Sequence, residues 1–511
     1  MERKWWTLTV VCVATFMLLL DITIVNVALP TITHDLRASF SDLQWVIDAY
    51  ALTLAALLLS AGALADLFGR RLIFLVGVVV FAGSSLLCAL SPSALFLILA
   101  RGAEGIGGAM MYATALALLA QEFHGRERGT AFGIWGASIA ASAAVGPLLG
   151  GALTDGFGWA SIFYLNVPVG VVVVVLTLAR VKESRDPEGK RVDWVGTVTF
   201  TAGLFMLVLA LIRGNDEGWT SGLILGLFGG SVVFMAVFLV SQVTQKRGML
   251  DLQLFRKPTF SGASVTAFAV AAGMFAMFLY LTLYIQTLLG FSPFQTGLRF
   301  LPFTIISFFA AAVTGRLSNR LPARLLLFVG LALTGLGLLL MRTVTPSSSW
   351  TVFLPGFLIS GAGVGMINPV LASAAVGVVT PQRSGMATGI NNTFRQVGTA
   401  TGIAALGAIF ESVLTRHLTT QLAGTPVAGR AAGIARGVAA GGAHQILKAV
   451  PPDARARASA AIHVAFTAAL SDILLVGGIV ALVGAVLALL LVRRRDFVTY
   501  SAQEPAAATA S

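Results

Sequence analysis

The sequence predicts an all-α membrane protein, a bundle of 14 transmembrane helices arranged as two related halves. The chain of 511 residues is 57% hydrophobic and only 11% charged, with a mean hydropathy of +0.88. A soluble protein of this length could not bury so much apolar surface. Apolar runs long enough to cross a bilayer recur along the whole chain, and glycines recur at a fixed offset between its two halves.

The first apolar run, residues 7–29, follows a basic and aromatic lead. The run is too long for a signal-peptide core and lacks a cleavage motif, so we expect it to be retained as the first span. It contains Asp21 and Asn26. A carboxylate inside a span is costly, which makes a functional role the default hypothesis for Asp21. A structural hydrogen bond to a neighbouring helix is the alternative.

The second and fourth spans, residues 44–64 and 94–120, add three more charged groups. Asp48, near the start of the second span, is either a second carboxylate within the membrane or an interfacial residue that reaches water. Arg101 and Glu104 are three residues apart in the fourth span, so they share a helix face. Glu104 either adds a third titratable carboxylate or pairs with Arg101 and lowers the cost of burying it. We favour pairing for Glu104 and a functional role for Arg101.

The turn between the second and third spans has a distinctive spacing of glycine and charge. Gly62 allows close helix approach, and Gly69 permits a left-handed turn. Asp66 offers a carboxylate to the N-terminus of another helix. Arg70 and Arg71 keep the loop on the cytoplasmic side. A generic basic loop would explain only the arginines, and the whole pattern resembles the signature gating loop of the major facilitator superfamily of secondary transporters.

Within that superfamily, the string around Asp21 and Asn26 resembles the first-helix motif of the 14-helix drug/proton antiporters. Arg101 and Glu104 resemble a family motif whose arginine is associated with proton coupling, although Glu104 stands where glutamine is usual. The fifth span ends in Gly146-Pro147-Leu-Leu-Gly150-Gly151, which resembles the antiporter motif of exporters. A packing kink with no bearing on transport direction is the alternative for this motif.

Two further apolar runs, residues 194–212 and 221–240, lie where 12-helix members of the superfamily have one loop, and they favour the 14-helix branch. We therefore divide the chain into an N-terminal six-helix half, two inserted helices with their linkers, a C-terminal six-helix half with a long outer loop, and a cytoplasmic tail. The corresponding ranges are 1–180, 181–258, 259–492 with its outer loop at 411–465, and 493–511.

The second half repeats the first in its glycines but not in its carboxylates. Five glycines of the first half (105, 107, 129, 133 and 146) have counterparts 256 positions later, at 361, 363, 385, 389 and 402. Such duplication is expected of the two halves of this transporter fold. In place of membrane carboxylates the second half offers pocket candidates, namely Tyr280, Tyr284, Gln286, Asn391, Asn392 and Arg395. For Arg395, contact with a substrate and a structural bond between helices remain equally open.

The net charge of +12 does not indicate a nucleic-acid surface. Most basic residues fall in alternate loops, which explains the charge by the positive-inside rule and predicts that both termini are cytoplasmic. The two cysteines, Cys12 and Cys88, lie in apolar runs, so neither a disulfide framework nor a metal site is expected. We expect no cofactor.

The resemblance implies proton-coupled efflux of small amphipathic or hydrophobic compounds, such as drugs or antibiotics, across a bacterial cytoplasmic membrane by alternating access. Asp21 first, and Asp48 or Glu104 next, would bind a proton or a cationic substrate in competition, and Arg101 would bias the charge of that carboxylate. We expect the partners to be the substrate, protons and the lipid bilayer, and we expect the chain to act as a monomer.

Four alternatives remain open. A dedicated metabolite or lipid exporter would have the same fold. An uptake symporter is disfavoured by the motif at Gly146 and Pro147, and a non-transporting membrane sensor by the intact carboxylates. An intramembrane enzyme is disfavoured because the spans hold no Ser/His or metal-ligand pair at catalytic spacing.

Overall fold

A computed structural model describes residues 2–38, 40–123, 125–185, 193–245, 252–318, 320–379, 384–423, 428–439 and 443–497. Within these ranges all regular secondary structure is helical. The first half contains α1 (Arg3–Leu36), α2 (Phe40–Phe68), α3 (Arg70–Ala89), α4 (Ala94–Glu122), α5 (Gly125–Phe157), α6 (Ser161–Tyr164) and α7 (Asn166–Arg180). The inserted pair is α8 (Trp194–Glu217) and α9 (Gly222–Thr244).

The second half begins with α10 (Pro258–Val270) and α11 (Ala276–Leu283), which a π-helical stretch, Ala271–Phe275, joins into one continuous segment. The remaining helices are α12 (Pro293–Leu317), α13 (Ala323–Leu340), α14 (Leu354–Gly377), α15 (Ser384–Gln421), α16 (Ala431–Ala439), α17 (Ala443–Ala449) and α18 (Pro452–Leu491).

Thirteen helical segments in the described part of the chain are long and apolar enough to cross a membrane. The other predicted span corresponds to α5, a helix of 33 residues. At 1.5 Å per residue this helix is ~50 Å long, which is sufficient to cross a bilayer. Its many Gly, Ala and Ser residues make it less hydrophobic than α4 and α7 on either side of it.

The two halves repeat the same helix neighbours. In the first half α4 packs on α2 and α3, and in the second half α14 packs on α12 and α13. Glycines permit the matching contacts. A methyl group at Gly107 would lie 2.7 Å from the Gly77 carbonyl oxygen, and one at Gly363 would lie 2.4 Å from the Gly330 carbonyl oxygen. The glycine repeat in the sequence therefore marks places where helix backbones touch.

The halves meet along two seams, α5 against α12 and α2 against α15. On the first seam, a methyl group at Gly315 would lie 2.5 Å from the Gly129 carbonyl oxygen. The inserted pair lies against the second seam, where Phe200 and Leu204 of α8 share a buried apolar cluster with Leu59 of α2 and Ile390 of α15.

The helix directions define two ends of the bundle. α1 begins, and α2, α7 and α18 end, at what we call the terminal end, where Arg3 Nε donates to the Arg180 carbonyl oxygen at 2.8 Å. The opposite end is called the far end.

At the far end, the described part of residues 411–465 is mostly helical. α15 continues to Gln421, α18 already begins at Pro452, and α16 and α17 lie between them. Leu414 and Leu418 of α15 and Ile434 and Val438 of α16 are buried in the core of the second half. The segment that the sequence predicts as a long loop is thus largely a packed extension of the second half, because its apolar residues recur at helical spacing.

Candidate functional site

A charge cluster lies inside the first half, formed by Asp21 of α1 and by Arg101 and Glu104 of α4. All three residues are at most 1% exposed. Arg101 Nη1 donates to Asp21 Oδ2 at 2.5 Å and to Glu104 Oε2 at 2.7 Å. Arg101 Nε donates to the Val46 carbonyl oxygen of α2 at 3.1 Å. One guanidinium group therefore joins three helices, and the expected pairing of Glu104 with Arg101 is present in this geometry.

Polar and aromatic side chains from α2, α3 and α7 complete the enclosure. Asn166 Nδ2 donates to Asp21 Oδ1 at 3.2 Å and to Ser85 Oγ at 2.9 Å. The Arg101 guanidinium carbon lies 4.3 Å from the centre of the Tyr50 ring, close enough for a cation–π contact. Both oxygens of Asp21 thus accept hydrogen bonds. The sequence analysis gave no role to Asn166, Ser85 or Tyr50. The signal that could have indicated such a role is the position of Asn166, a polar residue at the start of an apolar run.

Glu104 is bound less completely than Asp21. Its Oε2 accepts from Arg101 and lies 3.6 Å from Cys88 Sγ, whereas its buried Oε1 has no hydrogen-bond partner. If both carboxylates of the cluster are ionised, one positive and two negative formal charges are buried together. A buried excess charge is costly, so binding of a proton to one carboxylate would make the net charge of the cluster zero and remove this cost.

Asp48 lies on another face of α2 from the residue that completes the cluster. Asp48 is half-buried, and it lies two residues before Tyr50 on α2. Residues two apart on a helix leave it in nearly opposite directions, so Asp48 projects away from the Tyr50 face. The side chains of Asn26 and Pro147 lie outside what the structure describes.

The turn between α2 and α3 links the two halves at the terminal end. Asp66 Oδ1 accepts from Arg70 Nε at 2.9 Å and from Arg70 Nη2 at 2.8 Å. Asp66 Oδ2 accepts from the backbone nitrogen of Met386 at 2.9 Å. Met386 lies in the first turn of α15, where unpaired amide groups and the helix dipole favour a carboxylate. A first-half carboxylate therefore caps a second-half helix.

The rest of this turn is held by Glu183, three residues after the end of α7. Gly69 has a φ of 123°, and a methyl group on it would lie 2.6 Å from the Glu183 carboxyl. Glu183 accepts from the backbone nitrogens of Arg71 and Leu72, both at 3.0 Å, and so caps α3. Gly62 is buried at the end of α2. Glu183 was missed by the sequence analysis, because its partner is more than a hundred residues away.

The glycine motif of α5 touches both halves. A methyl group at Gly146 would lie 1.9 Å from Thr23 Oγ1 of α1, two residues beyond Asp21. Gly150 is buried, and a methyl group at Gly151 would lie 3.5 Å from Phe294 of α12. The motif thus allows α5 to approach α1 closely beside the charge cluster.

Among the second-half candidates, Arg395 of α15 makes a hydrogen bond across the halves. Its Nη1 donates to the Tyr112 hydroxyl of α4 at 3.0 Å, and its Nη2 donates to Asn368 Oδ1 of α14. Trp135 of α5 stacks on Tyr112 with ring centres 6.2 Å apart and donates to Thr15 Oγ1 of α1 at 3.1 Å. Arg395 remains partly exposed. Tyr112 and Asn368 were not singled out in the sequence.

The other pocket candidates bond or pack within the second half. Tyr280 donates to the Ile403 carbonyl oxygen at 3.1 Å, and Asn391 donates to the Ala263 carbonyl oxygen at 3.3 Å. Tyr284 is buried between Phe353 and Phe466. Two candidates differ in burial: Asn392 is buried, and Gln286 is half-buried in a π-helical stretch. Among the described residues, no group of three His, Cys, Asp or Glu side chains is placed to hold a metal ion.

Comparisons with known proteins agree with this architecture. A sequence model of the Major Facilitator Superfamily matches residues 11–403. The multidrug resistance protein Stp of Mycobacterium tuberculosis is 37% identical over 408 residues, which cover 80% of this chain and 76% of that protein. A probable actinorhodin transporter of Streptomyces coelicolor is 32% identical over 433 residues, covering 82% and 75%.

The fold is also found in a solved structure. The human organic anion transporter MFSD10 superimposes with a TM-score of 0.61 at 15% identity, covering 94% of this chain and all of that one. At this identity the likeness concerns the fold alone. The family match and the two bacterial relatives carry the assignment further: the chain belongs to the major facilitator superfamily and is a multi-pass membrane transporter of small molecules, not an enzyme.

Proposed function

We propose that this chain is a proton-coupled efflux antiporter that exports small amphipathic or hydrophobic compounds, such as drugs or antibiotics. Its relatives named for multidrug resistance and for antibiotic transport support export. The single observation that carries proton coupling is the enclosed cluster of Asp21, Arg101 and Glu104. Two carboxylates that share one buried guanidinium form a site whose net charge changes by one with each proton.

In this proposal the proton and the substrate occupy different places. Asp21 is enclosed by Arg101 and Asn166, which supports a role in coupling over direct contact with a cationic substrate. The partly exposed Arg395, bonded to Tyr112 where the halves meet, supports substrate contact at the seam. Arg101 and Tyr112 lie on the same face of α4 and are separated by about three helical turns, or ~16 Å. A movement of α4 would therefore act on both places.

The terminal end is proposed to face the cytoplasm, in a bacterial membrane. Basic residues concentrate at this end, as the positive-inside rule requires. They include Arg3, Lys4, Arg70, Arg71, Arg180, Arg256, Lys257, Arg493, Arg494 and Arg495. With this orientation, the bond from Met386 to Asp66 holds the cytoplasmic side closed. We further propose that the transporter works as a monomer, because each chain contains both halves of the alternating-access unit.

A dedicated metabolite exporter is the second candidate. The observation that favours it is the Arg395 guanidinium, a cation placed between Tyr112 and Asn368 at the seam. A guanidinium group selects carboxylate or phenolate oxygens more readily than it selects a lipophilic cation. Such a protein would export a single class of anionic or neutral metabolites, whereas a multidrug exporter would accept many unrelated compounds.

The test uses everted membrane vesicles with a preset proton gradient, to which lipophilic cations such as ethidium, neutral compounds and aromatic acids are added in turn. We expect some of these compounds to collapse the gradient with the wild type but not with Asp21→Asn or Arg101→Gln. Asp155→Asn serves as the control, because Asp155 is an exposed carboxylate of α5 outside the cluster.

The outcomes separate the candidates. A response to cations and neutral compounds supports multidrug exchange, and a response to acids alone supports the dedicated exporter. If the wild type accumulates substrate in vesicles without moving protons, the proposed proton coupling is wrong.

A further inference from the structure

The two carboxylates of the buried cluster are not equivalent. Asp21 accepts from Arg101 at one oxygen and from Asn166 at the other. Glu104 shares Arg101 Nη1 with Asp21 through Oε2, and its Oε1 is buried without a hydrogen-bond partner. An ionised carboxylate with an unpaired buried oxygen pays a desolvation cost that a neutral carboxyl largely avoids.

Among the described residues around Glu104, Arg101 is the one cation. Arg101 of α4 and Cys88 of α3 contact Glu104 directly. The other described polar and titratable groups of the cluster are Asp21 from α1, Tyr50 from α2, Ser85 from α3 and Asn166 from α7. With both carboxylates ionised, this enclosure carries one excess negative charge. One proton makes it neutral, and the better-bonded Asp21 is the group that stays ionised opposite Arg101.

We propose that Glu104 is the proton carrier of this transporter, and that Asp21 is the fixed counter-ion of Arg101. The proposal rests on proton-coupled export as the function. Loading forms an O–H bond on Glu104 with a proton taken from water, and unloading returns that proton to water on the other side. Asp21, which the sequence analysis names as the first candidate for binding the proton, then positions Arg101 and does not exchange the proton.

The position of Glu104 along α4 suits this role. Glu104 lies ten residues from the start of α4 at the far end, or ~15 Å along the helix, and about twice that distance from the terminal end. Cys88, beside it, is in the last turn of α3, also toward the far end. An exporter in the proposed orientation takes its protons from that side. Substrate binding at Tyr112 that shifts α4 relative to α1 would weaken the contact of Arg101 with Asp21. Arg101 would then pair more strongly with Glu104 of its own helix, and Glu104 would release the proton.

The first experiment identifies the protonated residue in the purified wild-type protein by infrared spectroscopy. A neutral carboxylic acid gives a carbonyl-stretch band separate from the carboxylate bands. We expect this band at neutral pH, shifted when all glutamates carry a ¹³C carboxyl group and unshifted when all aspartates do. Glu104→Gln should lose the band, and Glu127→Gln should keep it, because Glu127 is an exposed residue of α5 paired with Lys4. A merely structural Glu104 that stays ionised would give no such band.

The second experiment measures transport in proteoliposomes. We expect Glu104→Gln to lose both substrate-induced proton release and accumulation driven by a proton gradient, while it retains exchange of labelled for unlabelled substrate. Glu127→Gln should retain all three activities. Retained exchange shows that the Glu104→Gln protein is folded and binds substrate, and the labelling experiment on the wild type needs no variant.

Other outcomes overturn the proposal in distinguishable ways. If the band shifts with labelled aspartate, or Glu104→Gln still releases protons on substrate binding, then Asp21 is the carrier and proton-coupled export stands. Glutamine is the usual residue at this position of the family motif that the sequence resembles. The Glu104→Gln variant therefore tests whether Asp21 and Arg101 can exchange a proton without Glu104. If the wild type exchanges substrate but never releases protons, both the carrier and the proposed coupling are wrong.

Discussion

At the scale of single residues, backbone contact between helices makes certain glycines irreplaceable. A methyl group at Gly107 of α4 would lie 2.5 Å from the Phe81 backbone nitrogen, and one at Gly363 of α14 would lie 2.6 Å from the Thr334 backbone nitrogen. These distances are shorter than side chains tolerate, and backbone atoms cannot move aside alone. The two glycines occupy equivalent positions in the two halves.

We therefore predict that Gly107→Ala and Gly363→Ala each destabilise the protein by about 1–3 kcal/mol through overpacking. Gly83→Ala in α3 is the matched control, because no atom lies within 4 Å of a methyl group there and alanine favours helix. Thermal unfolding in detergent measures the effect. Equal melting temperatures for all three variants would contradict the close packing of these helix pairs.

Asn166 shows a second residue-scale effect, since it fixes the orientation of Asp21. Replacing Asn166 with alanine leaves one oxygen of Asp21 without its donor, and losing a hydrogen bond to a charged group costs about 1.5–3 kcal/mol. We expect lower thermal stability and slower proton-driven substrate accumulation in everted vesicles. Thr177→Ala in the same helix should change little, because its hydroxyl bonds to the Val173 carbonyl oxygen of its own turn. A normal uptake rate in Asn166→Ala would show that Asp21 needs no such support.

At the scale of helices, the apolar runs and turn signals in the sequence predict the spans well. They do not predict which side chains contact each other between helices. The predicted span at 94–120 agrees with α4 to within two residues, because a long apolar run is unambiguous. The predicted outer loop at 411–465 overlaps the first 14 residues of α18, which begins at Pro452, because the Ala- and Arg-rich start of this helix is not apolar. Glu183 and Asn166 could not be assigned partners, since neither contact follows from local spacing.

The contacts of the charge cluster also differ in how far the sequence predicts them. Arg101 and Glu104 are three residues apart, so their shared face could be predicted from helix geometry. The contact of Arg101 with Asp21 joins residues 80 positions apart and was proposed only through family resemblance. The enclosure of Asp21 inside one half was not predicted, because the sequence does not show which face of α1 is turned toward the seam.

The inserted hairpin of α8 and α9 is attached more specifically to the first half than to the second. Ser60 of α2 and Thr201 of α8 share a hydrogen bond of 2.9 Å, and Arg213 lies over the Trp45 ring of α2 at 5.5 Å. Its contacts with α15 in the shared cluster are apolar. Apolar surfaces can slide, whereas a partly buried polar pair holds register, so we expect the hairpin to move with the first half.

Disulfide cross-linking tests this expectation. A Ser60→Cys/Thr201→Cys pair should leave transport unchanged when oxidised, because both residues belong to one moving unit. A Leu59→Cys/Gly389→Cys pair joins α2 to α15, where a methyl group at Gly389 would lie 3.1 Å from the Leu59 Cα atom. Oxidation of this second pair should arrest transport, and reduction should restore it. Arrest by the first pair would mean that the hairpin slides over α2.

At the scale of the whole molecule, the balance between the two access states depends on a few contacts between the halves. The bond from the Met386 backbone nitrogen to Asp66 exists only while the ends of α2 and α15 are together. It is charge-assisted, and Arg70 orients the same carboxylate through two hydrogen bonds. Such a contact stabilises one state without affecting the fold of either half.

Asp66→Asn should shift the population toward the state that is open at the terminal end. A charge-assisted hydrogen bond contributes about 1.5–3 kcal/mol, so its loss changes the ratio of the two states roughly ten- to a hundredfold. Asp193→Asn is the control, because Asp193 also caps a helix, through the Gly196 backbone nitrogen at 2.7 Å, but within the hairpin. Spin labels on the terminal ends of α3 and α13 would report the distance by electron paramagnetic resonance. A longer distance in Asp66→Asn alone supports the gating role, and identical distance distributions in both variants would show that other contacts set the balance.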